Sequence, residues 1–369
     1  MADSESLKFR IAFSSLKGMT VALAREILAR VGDERRFFDM SERQLSAVMG
    51  CKSRLFDHAL RSDALALGER ESDFLATGNV RPLYFTDSDY PARLDGCDDA
   101  PVMLYAMGDT DLNDSRVVSI VGTRHATPYG LSFIRDFVSE LKSQVGNLII
   151  VSGLAYGIDV AAHREALACS VPTVGVLAHG LTTIYPAVHR NVAVDMTRNG
   201  GMLITEYRSD SPLHKGNFLA RNRIVAGLCD ALVVVESARK GGALVTARIA
   251  SGYDRDVFAV PGRTGDTYSE GCNRLIISNT AAMITSAADL VDAMGWPRCE
   301  SEGTQLGLPL DLSPEQKAVV DYLTLHDDAV INRMSVDLDR PIAKLMTLLV
   351  DMEFSGLVIN LPGGRYRLA

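Results

Sequence analysis

A chain of 369 residues is long enough for two or three ordinary domains. With 47% hydrophobic and 23% charged side chains its composition is globular, which excludes disordered, collagenous and coiled-coil architectures. A net charge of −8 argues against a polyanion partner for the surface as a whole and leaves local patches to decide. Apolar runs stay short of the roughly 18 residues that cross a bilayer. The opening MADSESLKFR lacks the basic-then-apolar order of a secretory signal, so a cytoplasmic protein without membrane contact is expected. Cysteines at 51, 97, 169, 229, 272 and 299 form no C-x-x-C pair. That spacing excludes a zinc ribbon and a disulfide framework, and predicts reduced, mostly buried thiols.

Residues 1–80 read as a module of short helices over LKFRIAFSSL, TVALAREILARV, SERQLSAVM and SRLFDHALRSDALALGERESDFLAT. Val21, Ala24, Ile27 and Leu28 recur at helical spacing, and Ser41 with Gln44 three residues on is a capping-box pattern. Lys17-Gly18-Met19 resembles the turn of a small helix-hairpin-helix or SAM-like module. Such modules either grip DNA backbone or pack against neighbours. The 12 basic and 12 acidic side chains cancel here, which favours packing.

From 81 to 300 the pattern switches to short apolar runs: VVSIVG, LIIVSG, TVGVLA, MLITE, ALVVVE, VFAVPG and AAMIT. They recur roughly every 25–30 residues with helix-length segments between, the spacing of βα units. Continuously apolar strands are buried on both faces, so an α/β domain is predicted, a Rossmann-like, mostly parallel sheet flanked by helices. Ligands of such sheets bind at the carboxyl ends of the strands. Residues 301–312 read as a linker. Residues 313–369 read as three helices, starting near Pro314, Ile331 and Pro341, followed by strands GLVINL and GRYRLA about a Pro362-Gly363-Gly364 turn. That is the winged-helix order. Its third helix often reads DNA, but 6 basic against 9 acidic side chains over 311–369 favour a protein contact.

The strand ends exclude several chemistries. No G-x-G-x-x-G follows the first apolar run and no P-loop occurs, so no nucleotide cofactor is expected, nor a metal. The ends are instead suited to anions. Gly122-Thr123-Arg124 offers close backbone approach, a hydroxyl and a guanidinium. Ser152-Gly153 leads through LAYGID into a helix, and Gly241-Gly242 repeats that geometry, each presenting amides at a helix start. Either these glycines cradle a phosphate or they are only sterically required.

The strongest local signal is His214–Arg223, HKGNFLARNR, with three permanent positive charges, no acid and one aromatic ring at Phe218. Cations with a face for a base to stack on suit single-stranded nucleic acid, each stacked base adding about 1–3 kcal/mol. The bland alternative has Arg221 or Arg223 bridging a buried Glu206 or Glu236, and Phe218 in the core. Asp159 and His163, four apart, read as a structural helix pair rather than an acid–base couple. Tyr185-Pro186 and His189-Arg190-Asn191 read as a turn along the same edge.

Taken in order, VGTR (121–124), SGLAYGIDVAAH (152–163), YP and HRN (185–191), TEY (205–207), FLARNRIVAGL (218–228), VVES with GGALVTA (234–247), VPG (260–262) and GCNRLI (271–276) resemble the DNA-processing protein A family, DprA or Smf. The resemblance implies a protein that binds and protects single-stranded DNA, loads the RecA recombinase in natural transformation, forms a homodimer through the Rossmann-like domain and is not an enzyme. By the same resemblance Arg124 matches the family's strand-end arginine, and Lys215 and Phe218 its basic and aromatic residues. Thr123 stands where serine is common, and Leu219-Ala220 where a proline is common before the R-N-R segment. The residues expected to hold DNA are Gly122, Thr123, Arg124, Ser152, Gly153, Lys215, Phe218, Arg221, Asn222, Gly241 and Gly242. The rival reading is a nucleotide-processing enzyme of the phosphoribohydrolase type, in which Glu206 and Glu236 would work beside Gly241-Gly242; the P-G-G-x-G-T-x-x-E arrangement of such enzymes is missing.

Overall fold

The computed structural model describes residues 4–299, 313–326, 329–355, 357–361 and 363–368. They fall into two compact units, residues 1–301 and 302–369. The linker read over 301–312 and Pro362 of the terminal turn lie outside the described residues.

The chain starts with five helices, α1 (Ser4–Ser14), α2 (Val21–Val31), α3 (Glu34–Asp39), α4 (Glu42–Met49) and α5 (His58–Ala76). Val21, Ala24, Ile27 and Val31 form the buried stripe of α2, and the Ser41–Gln44 capping box is formed in full. α1 packs closely on α5 because Gly68 has no side chain, since a Cβ there would stand 2.4 Å from the Lys8 carbonyl oxygen. Arg61 is buried among them and donates to the carbonyls of Phe37, Phe38, Met40 and Phe56, which gives the ends of short helical turns partners that water would otherwise supply.

A nine-stranded sheet follows: β1 (Arg81–Tyr84), β2 (Met103–Gly108), β3 (Arg116–Val121), β4 (Leu148–Ser152), β5 (Thr173–Val176), β6 (Met202–Thr205), β7 (Ala231–Val234), β8 (Asp256–Ala259) and β9 (Ala282–Met283). Its spatial order is β1-β2-β6-β5-β4-β3-β7-β8-β9, and the seven strands from β6 to β9 run parallel. All seven apolar runs are strands, as the Rossmann-like reading predicts. β1 and β2 extend the sheet antiparallel beyond β6.

Side chains alternate between two cores. Val118 and Ile120 of β3 face a layer formed with α6 (Pro128–Gln144), α7 (Ile158–Ala168) and α13 (Ala287–Ala293). Val117 and Val121 face the other layer, which holds α8 (Arg190–Arg198), α10 (Asn222–Gly227), α11 (Gly242–Gly252) and α12 (Glu270–Ile277) and continues without a break into the aromatic core of α1–α5. The module over 1–80 therefore shares its core with the sheet. No helix among the described residues is long and apolar enough to cross a membrane.

All six cysteines are free. Cys97, Cys229 and Cys272 are buried, whereas Cys51 and Cys299 are exposed, so the expectation of mostly buried thiols holds for only part of the set.

The second unit has helices α14 (Pro314–Leu325), α15 (Ile331–Asp337) and α16 (Ile342–Phe354) and a three-stranded antiparallel sheet ordered β10 (Ala329–Val330), β12 (Arg365–Leu368), β11 (Val358–Leu361). Its own small core includes Val319, Leu323, Met334, Leu345, Leu349 and Tyr366.

Candidate functional site

The strand order reverses at β3. Successive strands β4, β5 and β6 lie on one side of it, and β7 returns to the other. At such a switch point the loops leaving two neighbouring strands diverge and open a crevice at their carboxyl ends. Here the crevice is a cavity of about 260 Å³ lined by Gly122, Thr123 and Arg124 after β3, Ser237, Ala238, Gly241 and Gly242 after β7, Ala155 and Asp159 before and within α7, and Phe218, Arg221 and Asn222. Segments almost 120 residues apart in the chain thus meet where the sequence placed an anion site.

The β3 end is held rigidly. The Thr123 amide donates to the Glu236 carbonyl at 2.7 Å, and the Thr123 carbonyl accepts from the Ile158 amide at 3.1 Å. Arg124 follows directly. It is exposed and, among the described residues, makes no hydrogen bond or ion pair, so its guanidinium lines the cavity with its donors available, near enough to Asp159 to act on that carboxylate. α11 begins at Gly241 without a side-chain cap, which leaves first-turn amides open, and the space beside Gly242 where a Cβ would project is empty.

Phe218 lies in α9 (Lys215–Ala220), half-buried, with its ring edge-to-face against Tyr185 at 5.6 Å and 64°. It lines the cavity rather than filling the core, so the bland reading of Phe218 does not hold. Lys215 is exposed and stands one helical turn earlier, on the same side of α9. Its ammonium does not line the cavity itself.

Three expected contacts need correction. Ser152 is fully buried, and its hydroxyl donates to the Ile120 carbonyl at 2.6 Å, so it fastens β4 to β3. Arg221 is buried too, donating to the Gly153 carbonyl at 2.7 Å and to the Val176 carbonyl. The carbonyl ends of β4 and β5 need donors, and Arg221 supplies them from beneath the cavity. Gly153 is glycine because a Cβ would stand 2.1 Å from Nη1 of Arg221; it makes room for protein. Gly122 does line the cavity, and a Cβ there would run into Ile158.

Charge below the site is balanced. Burial raises the pKa of Asp159, against the pull of Arg221 and then of the Ala155 and Gly153 amides. Burial lowers that of Arg221, countered by Asp159. Asp159 and His163 do not pair. His163 Nδ1 meets Thr173 Oγ1 at 2.7 Å, and burial pushes the imidazole down to about 3, so it is neutral. Glu206 forms an ion pair with Arg223, as the bland reading of that arginine had it, and burial raises the Glu206 pKa. Glu236 accepts from the Thr127 amide at 2.9 Å and the Thr127 hydroxyl at 2.5 Å, bracing the start of α6. Both strand-end carboxylates thus have structural partners, and neither lies exposed in the cavity. Among the described residues no group of three or more His, Cys, Asp and Glu is arranged to hold a metal.

Sequence reasoning missed Tyr185 as part of the aromatic edge. It is 49% exposed beside Phe218, and its only signal was the Tyr-Pro pair read as a turn. Tyr156, also 49% exposed, sits edge-to-face on His189 at 5.1 Å.

With the geometry in hand, a family model described as DNA recombination-mediator protein A matches residues 81–295. The chain belongs to that family. Protein Smf of Escherichia coli is 33% identical over 290 residues, covering 76% of this chain and 75% of its own. The X-ray structure of DNA processing protein A from Streptococcus pneumoniae matches with a TM-score of 0.64 at 29% identity, over 77% of this chain and 95% of that one. A structure of the Helicobacter pylori protein, whose subject is its single-stranded DNA binding mode, matches at 0.52 and 32% identity, over 58% of this chain and 95% of the other. The family resemblance carried by the sequence motifs is thereby confirmed, and its motifs VGTR and FLARNR are the segments that meet at the switch point.

Proposed function

We propose that this protein binds single-stranded DNA at the β3–β7 switch point and acts as a recombination mediator, protecting incoming DNA and passing it to the RecA recombinase during natural transformation in the cytoplasm. One observation carries the reading: an exposed Arg124 with no hydrogen bond or ion pair to a described residue, open α11 amides and a half-buried Phe218 share one cavity. Arg124 and the amides suit a phosphate, and Phe218 with Tyr185 offers a face for an unpaired base. A duplex has no free base face to give. Lys215, one turn from Phe218, suits the next phosphate, and Thr123, Asn222, Gly241 and Gly242 line the floor. The H. pylori relative's single-stranded DNA binding supports the same reading.

Two finer assignments belong with it. The protein is a homodimer through the Rossmann-like domain, for which Ile277 (81% exposed) and Met283 (56% exposed) near the open β9 edge offer an apolar surface. The C-terminal unit is a winged helix that meets protein rather than duplex. Ile342, Met346 and Val350 recur every four residues along α16 as an exposed apolar stripe, while Lys344 is that helix's only cation beside Asp351 and Glu353.

The test is titration of a fluorescent oligothymidine into the protein across a salt series. With about four phosphates engaged, log affinity falls against log salt with a slope near −3. Arg124→Ala and Lys215→Ala each weaken binding and make the slope shallower by about 0.7. Unchanged affinity and slope in the double variant, with the fold intact, would overturn the site.

A further inference from the structure

The segment after β7 serves two cavities. Ser237, Ala238, Gly241 and Gly242 line the one already described, whereas Arg239 and Lys240 turn away into a second, also of about 260 Å³. Its remaining walls are Leu244 and Arg248 of α11 and Gly271, Arg274, Leu275, Ser278 and Thr280 in and after α12. Ala243 and Thr246 of α11 line the first cavity while Leu244 and Arg248 line the second, so the two flank the first turns of that helix.

Four cations therefore surround this second cavity, and among the described residues no acid lines it. Arg239, Lys240, Arg248 and Arg274 are all exposed, and among the described residues none of their side chains makes a hydrogen bond or an ion pair. Glu270 stands one turn before Arg274 on α12 but forms no ion pair with it, so the cluster keeps its charge locally in a chain that is acidic overall. Like charges held together repel unless something anionic joins them, and three of the four are arginines, whose planar forks suit phosphate oxygens. The hydroxyls of Ser278 and Thr280 add neutral donors. No aromatic side chain lines the cavity, so it offers no stacking face.

We infer that this second cavity is a phosphate-only subsite, taking the backbone of the same single strand after it leaves Phe218. The inference rests on the first cavity's reading as a single-strand site. It follows from the shared 237–242 loop, which would let one strand run from base-stacking to backbone-holding without leaving protein. A helix with side chains is about 10–12 Å across. A ligand filling both cavities is thus a chain of several nucleotides, whereas a short oligonucleotide fills one.

The experiment compares a 6-mer and a 20-mer of fluorescent oligothymidine on the full chain and on R248A/R274A across a salt series. On the unsubstituted protein the 20-mer binds more tightly and with the steeper slope. In the double variant the 20-mer slope becomes shallower by about 1.4, equivalent to roughly twenty-fold weaker binding at 0.1 M salt, and most of the gain on lengthening disappears. A gain on lengthening equal to the parent's, or an equal loss for both oligonucleotides, overturns the subsite. So does a polyglutamate peptide that binds the parent but not the variant while 20-mer affinity stays the same, since the cavity would then hold an acidic protein segment. If the parent retains neither oligonucleotide, the first-cavity reading fails instead. R248K/R274K, which keeps the charge, restores most of the slope and controls for misfolding.

Discussion

Arg124 and Arg221 both lie at the switch point, but their surroundings assign them opposite work, and replacing each with alanine separates the two. Arg221 is buried and donates to the carbonyls of Gly153 and Val176, and Asp159 is the charge that most favours its cation. Removing it strands two buried strand-end carbonyls and takes from Asp159 the larger of the two cationic influences on it, a loss of about 3–5 kcal/mol. In a unit of this size that lowers the melting temperature by roughly 6–15 °C. Arg124→Ala removes an exposed side chain that makes no hydrogen bond or ion pair with a described residue, so its melt shifts by less than about 2 °C while oligonucleotide binding weakens. Calorimetric melts and anisotropy titrations on the two variants give the comparison. Should Arg221→Ala melt with the parent yet lose DNA, its guanidinium reaches the ligand and the buried placement is wrong.

Three further outcomes follow from the same geometry. Gly153→Ala sets a methyl group against Arg221 and destabilises by about 1–3 kcal/mol; the double variant with Arg221→Ala loses less than the sum of the two single losses, because removing the guanidinium relieves the clash, and full additivity in urea melts contradicts this. His163 is held neutral at about 3 in the folded protein against 6.5 ordinarily, so its contribution is complete above pH 6.5 and is lost as pH falls toward 3. That loss is about 2 kcal/mol by pH 5. Asp159 and Glu206, raised by burial, act with the opposite sign, so the readout is parent minus His163→Leu across pH, and a flat difference excludes the buried imidazole. Glu71 of α5 accepts from the Ser209 amide at 2.9 Å and from its hydroxyl at 2.5 Å. Glu71→Ala costs about 1.5–3 kcal/mol and speeds protease cleavage near Ser209; an unchanged digestion pattern says the helical module does not hold that loop.

Periodicity exposed the parallel sheet because each of its strands is buried on both faces and reads as an unbroken apolar run. β1 escaped it: RPLY carries Pro82, which is tolerated only because β1 is the sheet's edge. α3 escaped it as well, being six residues long and too short for a pattern to repeat. The site's residues were legible as a cationic, aromatic stretch, but not which of its cations face the ligand. Lys215 and Arg221 are six residues apart in one segment. What buries Arg221 is the carbonyl ends of β4 and β5, 68 and 45 residues upstream, and no local pattern carries that information.

Those buried bonds also explain how two short helices present a ligand face at all. α9 and α10 have six residues each, too few to be stable alone. Arg221 sits at their junction and ties it to two strands of the sheet, so Phe218, one turn before it, is carried on a fixed support. Asp159 acts on both Arg221 and Arg124, and the exposed cations here are Arg124 and Lys215, neither of which makes an ion pair with a described residue. With one cation holding the scaffold and others left exposed, a body of net charge −8 keeps a local cationic surface at the switch point, which is what the proposed single-strand site requires.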